Sequence, residues 1–149
     1  MPVMGLTKFK RFFRRAGEVD VDRNDVERYL DFVNDAIHDM LLLAQATAKA
    51  NGRDVILPWD LPITAGMQER MHRFTELDED IDLEPILEEV AARPPLDLAF
   101  ADDTAAQLPA LFGAISLALA EIFKILDSGL TELHTSEWAR AFRIVKILI

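Results

Sequence analysis

Three acids, Asp31, Asp35 and Asp39, recur every four residues with His38 beside them. In a helix that spacing lines the carboxylates up on one face. There they could hold a hard cation or share proton-transfer work, but a solvated helix face accounts for the same pattern and is the reading adopted. The three histidines, His38, His72 and His134, are far apart in sequence. Neither His-x-x-x-His nor His-Glu-x-x-His occurs, so metal-assisted hydrolysis has no support. The chain has no cysteine, which removes disulfides, thiolate metal sites and cysteine nucleophiles. There is no glycine-rich phosphate loop and no nucleophile elbow. Ser116 sits in an apolar stretch and reads as a hydroxyl at the edge of a core. The expectation is a non-enzymatic protein with no cofactor, metal or small-molecule substrate.

The other chemistry-bearing group is basic. Lys8, Lys10, Arg11, Arg14 and Arg15 fall within the first 17 residues, which hold no acid, while all 26 acidic residues lie beyond. The net charge is −10 and the isoelectric point about 4.7. Such a balance opposes nucleic-acid binding by the molecule as a whole. The five cations form either a local phosphate-contacting patch, whose binding would weaken steeply with salt, or a solvated helix face. Weak, sequence-nonspecific DNA binding is therefore the alternative function. Phe9, Phe12 and Phe13 interrupt the cluster at helical spacing and are read as core residues, not as a membrane anchor.

The elements carrying these residues repeat. The spacing predicts a short helix over 6–16 that stops at Gly17 and a connector through Val19 and Val21. A long helix then starts at Asp22 or Asn24 and carries the stripe Val26, Leu30, Val33, Ile37, Leu41, Ala44 and Ala48. Leu41, Leu42 and Leu43 are consecutive, so its middle is expected to be buried on several sides. After Asn51-Gly52 come a short extended Val55–Leu57 and a third helix introduced by Pro58. That helix is capped by Asp60 or Thr64, has Pro62 in its first turn, and bears Met67, Met71 and Phe74. An acidic connector spans 75–82. The order then recurs: a helix over 83–93 ended by Pro94-Pro95, a connector 96–100, a long helix over about 102–127 and a last helix capped by Thr135 or Ser136. Pro109 inside the second long helix predicts a kink or a later start. The class is all-α, a single domain over 1–149, with units 6–74 and 83–149. No apolar run approaches the roughly 18 to 20 residues that span a bilayer, no signal peptide is read, and a cytoplasmic location is expected.

Residues 6–74 resemble a minimal archaeal-type histone. The resemblance rests on Arg11 and Ala16-Gly17 at the first helix, Gly52-Arg53 after the long one, Ile56 three residues on and Asp60 seven on. It implies a histone fold and an Arg53–Asp60 ion pair locking the second loop to the third helix. The second half matches by order and periodicity alone, with Leu130 and Glu137 at the lock positions. The whole chain resembles the small bacterial family of single-chain double histone folds, which implies an intramolecular pseudodimer. Histone pairs meet DNA through paired loops and first-helix starts. Here the loop positions carry Asp20, Asp54, Asp97 and Glu132, and the second unit's first helix carries Glu84, Glu88 and Glu89.

The terminal run Ile144-Val145-Lys146-Ile147-Leu148-Ile149 is apolar on several sides and must find cover. Burial in the core is one reading. The other is self-association through Trp138, Phe142, Val145 and Ile149, which the resemblance supports because histone pairs join through their third helices. The expected role is a protein-interaction or architectural module, with a second copy or another protein as partner.

Overall fold

The computed structural model describes residues 5–77, 81–126, 129 and 132–148. Among them lie six α-helices in two short–long–short sets. The first set is α1 (Leu6–Gly17), α2 (Arg23–Ala50) and α3 (Ala65–Glu76). The second is α4 (Leu83–Ala92), α5 (Asp102–Leu126) and α6 (Thr135–Leu148). The all-α expectation holds. Helix α3 takes in the first two residues of the expected acidic connector, and positions 78–80 of that connector lie outside the described residues, as does Leu130.

Local chemistry explains the boundaries. Asp22 caps α2: its carboxylate accepts from the Asp25 N–H at 2.8 Å, and Asp25 accepts in return from the Asp22 N–H at 3.0 Å, a reciprocal box that satisfies two free donors. Gly17 is not the stop residue at the end of α1. It is the last helical residue, and Glu18 takes the left-handed conformation with φ 56°. Gly17 serves close packing instead, since a Cβ there would meet the Ala120 carbonyl oxygen at 2.9 Å. Pro62 precedes α3; Thr64 caps the helix by accepting from the Met67 N–H at 3.2 Å. Pro58–Asp60 forms a separate 3₁₀ turn. Helix α5 runs through Pro109 without a later start, because packing of Leu108, Leu111 and Phe112, all fully buried, offsets the lost hydrogen bond.

The two sets cross-connect through their loops. Strand β1 (Val55–Ile56), after α2, pairs in parallel with β2 (Ala99–Phe100), before α5, with Val55 opposite Ala99 and Ile56 opposite Phe100. Asp20, before α2, makes a parallel bridge with Glu132, before α6. Each set's first connector therefore pairs with the other set's second. Thr104 adds a hydroxyl bond to the Ile56 carbonyl at 2.8 Å, and Gln45 accepts from the Asp97 and Leu98 N–H groups at 2.7 and 3.0 Å.

One core serves both sets. Helix α5 lies at its centre and touches every other helix. It is long enough and apolar enough to pass for a bilayer span, with mean hydropathy 1.7 over its most apolar stretch, contrary to the sequence reading; yet 61% of that stretch is buried inside the protein. Its apolar character is used by the core. Tyr29 is ringed edge-on by Phe9, Phe13 and Phe112, with Trp138 tilted against it. The phenylalanines of α1 are thus core residues, and they tie α1 to α5 and α6. The middle of α2 is not covered all round: Leu41 is buried, but Leu42 and Leu43 are 41% and 53% exposed.

Candidate interaction surfaces

Helix α1 buries Phe9, Phe12 and Phe13 and turns Lys8, Lys10, Arg11, Arg14 and Arg15 to solvent. The periodicity that sends the rings inward puts the cations outward. Arg14 is drawn to Asp20 at 2.5 Å, so part of this charge is neutralised within the molecule. Lys8 and Lys10 have no ion-pair partner among the described residues.

The connector pairs gather the acids at two ends. Asp20 stands against Glu132 at one. Asp54 adjoins β1 and Asp97 approaches β2 at the other. Lys49 bonds Asp97 at 2.6 Å and holds its carboxyl below the usual carboxylate range. One named acid at each end is therefore paired with a base, Asp20 with Arg14 and Asp97 with Lys49.

Arg53 and Asp60 meet as a fork, with Nη1 2.5 Å from Oδ2 and Nη2 2.6 Å from Oδ1. Asp60 also accepts from the Leu57 N–H at 2.8 Å, and its side chain is fully buried. The guanidinium bonds, with the Leu57 bond behind them, hold the Asp60 carboxyl below its ordinary value despite the opposing effect of burial. The pair spans the β1 connector and the 3₁₀ turn, a structural arrangement in which burial closes the Asp60 carboxylate to a ligand.

The Asp31–Asp35–Asp39 row is not simply a solvated face. Arg93, at the end of α4, reaches Asp31 at 3.3 Å, Asp35 at 2.8 Å and Glu89 at 3.0 Å, with its side chain only 12% exposed. Burial works against the guanidinium's charge, but bonds to Asp35 and Glu89 outweigh it and raise its pKa. Sequence reasoning missed this clamp. Its signal was present: Arg93 is the one basic residue between Arg73 and Lys124. His38 is buried and bonds the Pro94 carbonyl at 2.8 Å, so the row and its histidine fasten α2 to the α4 connector. No group of three or more potential metal ligands comes together among the described residues. Ser116 is fully buried. It donates to the Phe112 carbonyl at 2.7 Å, which leaves its oxygen to accept from the Tyr29 hydroxyl; burial pushes the Tyr29 phenol up.

Of the residues expected to self-associate, Trp138 and Val145 are corrected to the core, at 1% and 5% exposure. Phe142 is half-buried and stacks on Phe32 with centroids 4.2 Å apart. Ile149 lies outside the described residues. The exposed apolar groups at this end are Ile147 and Leu148 of α6, Ile125 of α5 and Leu43 of α2, at 82%, 68%, 80% and 53%. Core positions 138, 141 and 145 follow helical spacing, so the outward position of Ile147 was readable from the sequence.

An all-α chain of two cross-paired helix triplets, with its chemistry on surfaces and not in a cleft, is the class these features define. The chain belongs to the DUF1931 family, a domain of unknown function, which matches residues 9–146. It is similar over 99% of both chains to a crystal structure from Thermus thermophilus, with 41% identity and TM-score 0.94. A crystal structure of an Aquifex aeolicus protein, at 24% identity and TM-score 0.83 over 99% of this chain and 97% of the other, shares the fold. An uncharacterized protein of Aquifex aeolicus (strain VF5) is 28% identical over 120 residues, covering 80% of this chain and 70% of that relative.

Proposed function

We propose that the chain is a histone-fold pseudodimer acting as a non-enzymatic protein-interaction or architectural module. The observation that carries this reading is the reciprocal parallel pairing of connectors, β1 with β2 and Asp20 with Glu132. It is the arrangement expected when two histone-fold units clasp head to tail. A single unit could not cover both sides of its long helix, and joining two in one chain removes the concentration dependence of pairing. The Arg53–Asp60 fork supports the same assignment in the first half. The acids in the connectors, Asp20, Asp54, Asp97 and Glu132, favour interaction over DNA wrapping.

The exposed cations of α1 favour a second reading, a weak sequence-nonspecific DNA-binding protein that contacts phosphate through Lys8, Lys10, Arg11, Arg14 and Arg15. Fluorescence anisotropy of a labelled random duplex, at low and at physiological salt, separates the two. Binding at low salt that falls steeply with added salt would establish the DNA reading. No binding at low salt would retire it.

A further inference from the structure

The first helices of the two sets are held in opposite ways. In α1, Phe9 and Phe13 meet Tyr29 edge-on, Phe13 also meets Trp138, and Phe12 meets Phe74. All three rings are buried. Helix α4 brings no aromatic ring. It buries Pro85, Ile86 and Val90, half-covers Leu83 and Leu87, and has no side-chain cap at Asp82. The rest of its fastening is polar. Asn34, His38 and Gln45 of α2 are buried and form one stripe, because steps of four and seven residues return to nearly the same helix face. His38 donates to the Pro94 carbonyl at 2.8 Å, and Gln45 accepts from the Asp97 and Leu98 N–H groups at 2.7 and 3.0 Å. Beside the stripe, Asp31 and Asp35 hold Arg93. Asn34, one turn before His38, is the unmatched member: its buried Oδ1 has no hydrogen-bond partner among the described residues.

We propose that α4 and the connector after it, residues 83–98, form a strap that opens as one unit while the other five helices stay folded. Water can replace the hydrogen bonds and ion pairs of this seam, so their net contribution to closure is modest. Withdrawing the rings of α1 from the core would cost far more, because apolar area cannot be compensated by water. Opening also hydrates the Asn34 oxygen, whose burial without a partner raises the free energy of the closed state. Closed, the strap covers one side of α5, which α4 touches. Open, it bares that side and the polar stripe of α2. Units that open below global unfolding are those with few buried apolar groups and many replaceable polar bonds, and α4 is the helix that fits. Strap opening stands on this seam and does not depend on the interaction-module reading.

The chain has no cysteine, so a single introduced thiol reports its own burial. Ile86→Cys places one under α4 and Ala44→Cys places one in α2, both at fully buried positions. Under native conditions the thiol at 86 is expected to react with a chromogenic disulfide about 100-fold or more faster than the thiol at 44. Its rate should also rise less steeply with urea, since opening the strap exposes less surface than unfolding the chain. Hydrogen exchange of the unsubstituted chain, read by mass spectrometry, is the second measurement and needs no core substitution. The α4 amides should exchange together and well ahead of those of α1, α2 and α5. Equal rates with equal urea dependence at the two thiols, or α4 amides that exchange no sooner than those of α1, would overturn the proposal, because α4 would then open only with the whole molecule.

Discussion

Phe74 of α3 lies directly over Gly113 of α5: a Cβ built on Gly113 would stand 2.6 Å from the ring's Cε1 and closer still to its Cγ and Cδ1. The glycine is what lets α3 lie so close along α5, the helix pair with the most extensive contact in the molecule. Glycine in mid-helix costs about 1 kcal/mol relative to alanine, so in open space Gly113→Ala would stabilise. Here the ring is clamped near its own backbone and cannot swing away. Overpacking of about 3 kcal/mol outweighs the propensity gain, and the melting temperature should fall by roughly 5 °C. A melt of Gly113→Ala that is unchanged or higher would show that α3 can shift freely on α5.

The Arg53–Asp60 fork makes stability depend on acid in a defined window. The Asp60 carboxyl is held below its ordinary value of 3.8 by the guanidinium. A depressed folded pKa contributes stability that is fully present above the unfolded value and is lost as pH falls through the folded one. Asp60→Asn should lower the melting temperature by about 5–10 °C at pH 7, and the gap to the wild type should close only below pH ~4. Arg53→Ala should also lower it, with no change in any binding activity. A gap that is constant from pH 7 to pH 2 would mean the pair's ionisation contributes nothing.

This pair was legible only through the resemblance, which carries Arg53 and Asp60 seven residues apart in one connector. The Asp22 cap was legible from local spacing, as one of two candidate caps. Helix existence and order followed from the apolar period. What was not legible is long-range. Nothing near Gly113 in sequence announces Phe74, and nothing near Asp35 announces Arg93. Periodicity also could not say how many sides of an apolar stretch find a neighbour, which is why Leu42 and Leu43 were expected inside and lie at the surface. Trp138 and Val145 show the converse error: an aromatic and a β-branched residue in a terminal helix look available until α5 and α2 are placed against them. Of the two outcomes expected at Pro109, the later start does not occur, since α5 runs from Asp102 through it.

Arg93 holds together carboxylates that would otherwise repel. Asp31, Asp35 and Glu89 all lie within 3.3 Å of its guanidinium. Arg93→Met keeps the apolar stem and removes the charge, leaving three acids of two helices facing one another. The melting temperature should fall by about 3–6 °C in low salt, and high salt should recover much of the loss by screening the bare carboxylates. An equal loss at both salt concentrations would assign the residue's contribution to packing, not to charge.

The histone reading makes its sharpest demand at the connectors. If a duplex approaches this fold as it approaches histone pairs, Asp20 and Asp54 stand where phosphates would pass, one at each end of the molecule. Asp20→Lys combined with Asp54→Lys should therefore raise low-salt affinity for a random duplex by about tenfold or more. The gain should vanish as salt rises, since each new phosphate contact adds to the salt slope. A variant of equal net charge, Glu27→Lys with Glu69→Lys, separates local from global effects. Its cations lie within helices and not in the connectors themselves, and it should gain far less. Equal gains in the two variants would reduce the effect to net charge. No gain in the connector variant would mean that these loops do not face DNA, and the docking analogy with histones would fail while the fold assignment, which rests on the connector pairing itself, would stand.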